Sequence, residues 1–194
     1  MNNTLVTRGP KPGENFLYTY TIASRVSEAL VLAEKLYGPR DPSFFYAGHE
    51  FIDRYPQTWY VGDAQRKHIV IQLSLSCMTD EKRAVYQLSH EVVHLLSPIL
   101  GTPANNLEEG LAEFFAQENC ARVFGSTLVG LPSYQKVRNL AAKILNDSRD
   151  VVLRMRQSVP EISNIPASML RDFCPQLTTD ESEFLVGKFD RDSA

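Results

Sequence analysis

The sequence predicts an α+β fold: an N-terminal mixed β-sheet lobe with one helix, then a helix dense in polar chemistry, then a mainly helical C-terminal lobe. Three observations predict it. Strand-like runs concentrate before residue 78 and helical periodicity dominates after it, a segregation that argues against alternating βαβ units. The stretch before Pro98 carries Val85, Leu88, Val92 and Leu95 at helical spacing. With 194 residues, 43% of them apolar and 22% charged, the chain can bury a real hydrophobic core. The expected division is a sheet-containing lobe over 1–97 and a helical lobe over 98–194, together forming one functional unit.

The elements follow in order. Residues 1–15 contain Gly9-Pro10-Lys11-Pro12-Gly13 and read as an arm or loop. Phe16 to Tyr20 reads as a short strand. Val26, Ala29, Leu30, Ala33 and Leu36 recur at helical spacing from about Ala23 to Tyr37, and Gly38-Pro39 ends the run. Phe44 to Ile52 is aromatic-rich and suits a strand; its His49 reads as a core or edge residue. Thr58-Val61 and His68-Leu75 flank Gly62-Asp63 and read as a hairpin. The second of these strands is the last before the polar helix. Its edge could take an extended peptide, or it could be an ordinary sheet strand.

Thr79 is the expected cap of the next helix, with Asp80 and Glu81 in its first turn and its end near Ser97. Asn106 can cap a helix over Leu107 to Phe124, which Gly125 stops. Ser133 can cap a helix from Tyr134 to Leu145. Further helices are expected over Ser148–Gln157, Ala167–Phe173 and Asp180–Phe189, the last opened by a capping box at Thr178-Thr179-Asp180-Glu181.

Composition narrows the partners. A formal charge of -3 gives no reason to expect nucleic acid or an anionic membrane. The basic run from Lys136 to Arg156 reads as a solvated helical face. Cys77, Cys120 and Cys174 are odd in number and far apart, unlike a disulfide framework or a thiolate metal site. A reducing compartment fits, and the N-terminus lacks a signal-like apolar run. No window is long and apolar enough to span a bilayer. The expectation is a cytoplasmic protein.

The chemistry sits at His90-Glu91-Val92-Val93-His94. Two imidazoles four apart share a helix face and can close on one metal ion. Glu91 is placed to hold a water at that metal. The H-E-x-x-H pattern thus supplies two ligands and a general base. A second helix follows with Asn106-Leu107-Glu108-Glu109-Gly110-Leu111-Ala112-Glu113-Phe114-Phe115.

From Cys77 to Gln117 the chain resembles the gluzincins, thermolysin-like zinc peptidases, and especially their small peptidase-MA-like members. The resemblance implies a zincin-like fold and a bound Zn2+. Matching the Glu-Gly-Leu-Ala-Glu run makes Glu109 the third ligand and puts Glu113 one turn on, behind a ligand histidine. Only fourteen residues separate His94 from Glu109, so the connection is tight. Glu109 also stands at capping-box spacing from Asn106, and so could serve its own helix start. Glu108 would point about 100° away from Glu109 and reads as a solvated neighbour. Ser97 and Leu100 stand where the metzincin pattern needs Gly and His, which excludes that family.

The resemblance implies hydrolysis of peptide bonds, with Glu91 moving the proton. A donor to the oxyanion is also needed. Tyr134 is the first candidate, then Arg138, Tyr86 and His68. The expected partner is a peptide or protein substrate. The competing reading is a catalytically silent, zinc-stabilised binding or regulatory module of the same fold. A third is a chance motif in a helical interaction protein without metal.

Overall fold

The structure is a computed structural model that describes residues 20–62 and 67–192. It holds seven α-helices and one three-stranded mixed sheet among those residues. The strand expected over 16–20 lies outside them, apart from Tyr20, as does the arm over 1–15.

Helix α1 spans Ile22–Tyr37. Thr21 and Ser24 form its capping box, and Gly38 closes it. Three strands follow: β1 (Phe45–Ile52), β2 (Gln57–Val61) and β3 (His68–Ser74). Their order is β1-β3-β2, with β1 parallel and β2 antiparallel to β3. This corrects one expectation. β3 is the central strand, so both its edges are taken. The free edge beside the polar helix belongs to β2. Ile69, Ile71 and Leu73 of β3 are buried against the helices, as period-two alternation requires. On the other face Gln72 bridges the sheet: its carbonyl oxygen accepts from Gln57, and its amide donates to Glu50.

A 3₁₀ turn over Leu75–Met78 leads into α2 (Glu81–His94). The cap is Asp80 rather than Thr79: its carboxylate accepts from the Arg83 backbone N–H at 2.9 Å. α2 also stops at His94, short of Ser97, so the second histidine sits at a helix end. Val85, Leu88, Val92 and Leu95 are all buried, as the spacing predicts.

Helix α3 (Asn106–Phe124) is the central helix. It is capped by Asn105, one residue earlier than expected, and ends at left-handed Gly125. It is buried almost all round between neighbouring helices, so its sequence shows little amphipathicity. Its buried polar groups are paired. The amide of Asn106 donates to the Phe184 carbonyl, and that of Asn119 to Ser89. At Gly110 a Cβ would stand 2.5 Å from the Val137 carbonyl oxygen. Only glycine lets the next helix lie this close.

The remaining helices are α4 (Pro132–Asp147), α5 (Val151–Arg156), α6 (Ala167–Phe173) and α7 (Thr179–Val186). The Thr178–Glu181 capping box is present. Ser133 does not cap α4; its hydroxyl donates to the Arg191 carbonyl. The basic run is a paired surface in part, with Lys143 on Glu181 and Arg149 on Glu118. Arg156 is the exception. It is 9% exposed, and its guanidinium donates to the carbonyls of Tyr37, Gly38, Pro39, Leu96 and Pro160.

One continuous core joins both halves: Val26 and Ala33, Ile71 and Leu73, Leu88 and Val92, Leu107 and Leu111, Ile144 and Met155. The three cysteines are free and buried. No helix among the described residues is long and apolar enough to cross a membrane.

Candidate metal centre

The end of α2 and the start of α3 meet at the floor of a cleft of about 430 Å³. His90, Glu91, His94, Glu108 and Glu109 line it, with β2 on one side and the 98–104 loop on another. His90, His94 and Glu109 each turn a ligand atom inward, and these atoms lie within 4.8 Å of one another. The three can hold a metal ion. Glu109 does not turn back to cap its own helix. Its Oε2 is 3.1 Å from His90 Nε2, and its Oε1 is 3.9 Å from His94 Nε2.

Each imidazole is fixed from behind. His94 Nδ1 lies 2.8 Å from Glu108 Oε1, and His90 Nδ1 lies 3.6 Å from Glu113 Oε2. Both rings therefore aim Nε2 at Glu109, the arrangement ligand histidines need. The supports are themselves held. Glu113 accepts from Tyr86 at 2.5 Å and from Gln117 at 2.8 Å. Glu108 accepts from Ser163 at 2.5 Å.

Glu108 departs from its sequence reading. It is 5% exposed rather than solvated. Both acidic residues of the first turn of α3 reach the cleft, because that turn opens directly onto it. A signal for this was present: two ligand histidines need two acceptors at Nδ1, and Glu113 accounts for one.

The charges suit a cation. Glu91, Glu108, Glu109 and Glu113 bring four formal negative charges around two imidazoles. Burial works against charge on His90, but contact with Glu109 and Glu113 outweighs it and holds its pKa up, at about 10. His94 is raised in the same way by Glu109 and Glu108. Burial is likewise outweighed at Glu109, where the two histidines push the carboxyl down. Glu113 is also lowered, through His90 and Tyr86. In the absence of metal, protons on the imidazoles neutralise part of the carboxylate charge.

Glu91 is 4% exposed, and its Oε2 accepts from the Thr58 hydroxyl at 3.0 Å. Thr58 is on β2, so the sheet positions this carboxylate. Tyr134 is 8% exposed and packs its ring edge-on to His90 at 5.4 Å. It is not among the residues lining the cleft. Its oxygen accepts from Arg191 Nε at 3.1 Å, and Arg191 does line the cleft. Burial and the Glu109 charge raise the Tyr134 pKa despite Arg191, so the phenol stays neutral.

The other candidate donors lie elsewhere. Tyr86 is spent on Glu113. Arg138 lies over the Phe114 ring at 5.3 Å. His68 packs against Phe45 at the start of β3. Thr58, Ser163 and Arg191 carried no sequence signal, since nothing local places them near α2. Comparison with protein-family models, with curated proteins and with solved structures gives no match.

Proposed function

We propose that this chain is a zinc-dependent metallopeptidase of gluzincin type, hydrolysing peptide bonds with Glu91 as general base. The observation that carries the reading is the convergence of His90, His94 and Glu109 within 4.8 Å, with the Glu91 carboxylate lining the same cleft. Two imidazoles and one carboxylate are a donor set that suits zinc. Zinc, when bound, supplies a Lewis acid that acidifies water and polarises a carbonyl.

The protein's own groups do the rest. His90 and His94 offer Nε2, kept in that orientation by Glu113 and Glu108. Thr58 occupies Oε2 of Glu91 and leaves Oε1 to take a proton from the attacking water. The same oxygen returns that proton to the leaving amine nitrogen. The β2 edge and the 98–104 loop form walls of the cleft, and a short extended peptide would lie between them. Tyr134 fits a positioning role, bracing the His90 ring and the Arg191 guanidinium.

A silent zinc-stabilised module has no use for a buried carboxylate at position 91. The test is metal content, and cleavage of a mixed peptide library, for wild type and Glu91→Gln. Stoichiometric zinc with activity lost in the variant is expected. Zinc-free protein, or full activity in Glu91→Gln, would overturn the proposal.

A further inference from the structure

Arg191 is the one Lys or Arg lining the cleft among the described residues. Its position is built rather than incidental. Its carbonyl accepts from Ser133 Oγ at 2.8 Å, and its Nε donates to Tyr134. Its guanidinium carbon lies 5.0 Å from the Tyr55 ring centroid and 5.8 Å from that of Tyr134. Phe189, two residues earlier, packs on Tyr134 at 4.7 Å. Two rings and one hydrogen bond thus hold this side chain at the cleft wall, and a second hydrogen bond fixes its backbone.

Its Nη atoms are unspent. Among the described residues neither has a hydrogen-bond partner, and no carboxylate pairs with the guanidinium, although Glu91 and Glu109 share the cleft. A guanidinium that keeps both Nη atoms free presents a planar fork that matches the two oxygens of a carboxylate. The remaining charged lining groups are carboxylates or ligand histidines. Away from the three residues that would hold the metal, Arg191 is thus the one cationic side chain of the lining that a substrate carboxylate can meet.

Resting on the metallopeptidase reading, we infer that Arg191 is the substrate-carboxylate site, and that the substrates are peptides with a carboxylate near the scissile bond. That carboxylate is either the peptide's C-terminus or an Asp or Glu side chain.

The experiment uses zinc-loaded Glu91→Gln protein and calorimetric binding of three probes. These are N-acetyl-Ala-Phe-Ala-Ala as free acid, its C-terminal amide, and the amide with Glu in the last position. At least one carboxylate-bearing probe is expected to bind about tenfold tighter than the plain amide, and which one identifies the source. Arg191→Met should abolish that preference and Arg191→Lys should retain part of it, with zinc content and melting temperature preserved. Arg191→Gln serves if the Met variant does not fold. Equal binding of all three probes, or a preference that survives Arg191→Met, overturns the inference. Binding is read without turnover, so this failure is distinguishable from failure of the peptidase reading, which appears as cleavage by Glu91→Gln.

Discussion

His94 Nδ1 lies 2.8 Å from Glu108 Oε1, while the opposite nitrogen of the same ring faces Glu109. Two neighbouring glutamates on one helix turn thus address the two sides of one imidazole, one from behind and one from the ligand side. Removing the rear partner frees the ring to rotate. Glu108→Gln is expected to weaken metal affinity by about 10- to 100-fold with the fold intact. Competition against a chromophoric chelator measures it; unchanged affinity would show that Glu108 does not orient the ring.

The Thr58–Glu91 hydrogen bond crosses from the sheet to α2. Thr58→Val should leave zinc content unchanged and lower kcat about tenfold, since the carboxylate loses its one anchor from β2. Thr58→Ser should restore it. A loss in Thr58→Val that Ser fails to rescue would point to packing rather than to the hydroxyl.

The pH dependence has a definite sign. The His90 pKa is raised from 6.5 to about 10 in the folded, metal-free protein. Its contribution to stability is therefore full below pH 6.5 and is lost as pH climbs through 10. Metal competes with protons for the same nitrogen, so metal affinity should rise over that window. Melting of metal-free protein between pH 6.5 and 10 should show a falling Tm, and metal-loaded protein should not follow it. A flat metal-free profile contradicts the coupling of His90 to Glu109 and Glu113. Glu109 and Glu113 act in the opposite direction. Their carboxyls are depressed, so their share persists above the ordinary 4.5 and is lost as pH falls through the lowered values.

Gly110 follows Glu109 directly, and a Cβ there would meet the Val137 carbonyl at 2.5 Å. Gly110→Ala must push α3 and α4 apart. It should cost about 1–3 kcal/mol in urea denaturation and weaken metal binding as well, because the displaced turn carries a ligand. If stability falls but affinity holds, α4 rather than α3 has yielded.

Arg156 donates to five carbonyls while 9% exposed. Arg156→Met leaves those acceptors unpaired, and about 3 kcal/mol or more should be lost. Arg156→Lys keeps the charge but not the planar fork, and should rescue little. Urea unfolding of both variants is the check; near-neutral substitution would mean that water replaces the guanidinium without cost.

The sequence made some parts legible and hid others. The α2 stripe and the shared face of His90 and His94 were readable because helical spacing places side chains within a turn of each other; Glu109, on another helix, was reached only through the resemblance of its Glu-Gly-Leu-Ala-Glu run. The Thr178 box was readable for the same local reason. Strand order was not, since the central place of β3 depends on a parallel pairing with β1 that no local pattern encodes. Helix starts moved by a residue or more where Asp80 and Asn105 capped instead of their neighbours, as several polar residues there competed. Glu108 was misread because burial, not helical angle, decides whether a first-turn carboxylate is solvated. Arg156 acts through partners far away in sequence, and the basic run that contains it reads as a solvated face; nothing in the sequence singles out Arg191.

The opening of α3 is tied to the segment after α7. Asn106 N–H donates to the Gly187 carbonyl, the Asn106 side chain to Phe184, and Asn105 bridges to Lys188. The turn that offers the carboxylates and the stretch that offers the guanidinium are therefore stitched together at their bases. Electropositive and electronegative walls of the cleft share one hydrogen-bonded mounting, so loosening the stitch at Asn106 should blur both at once.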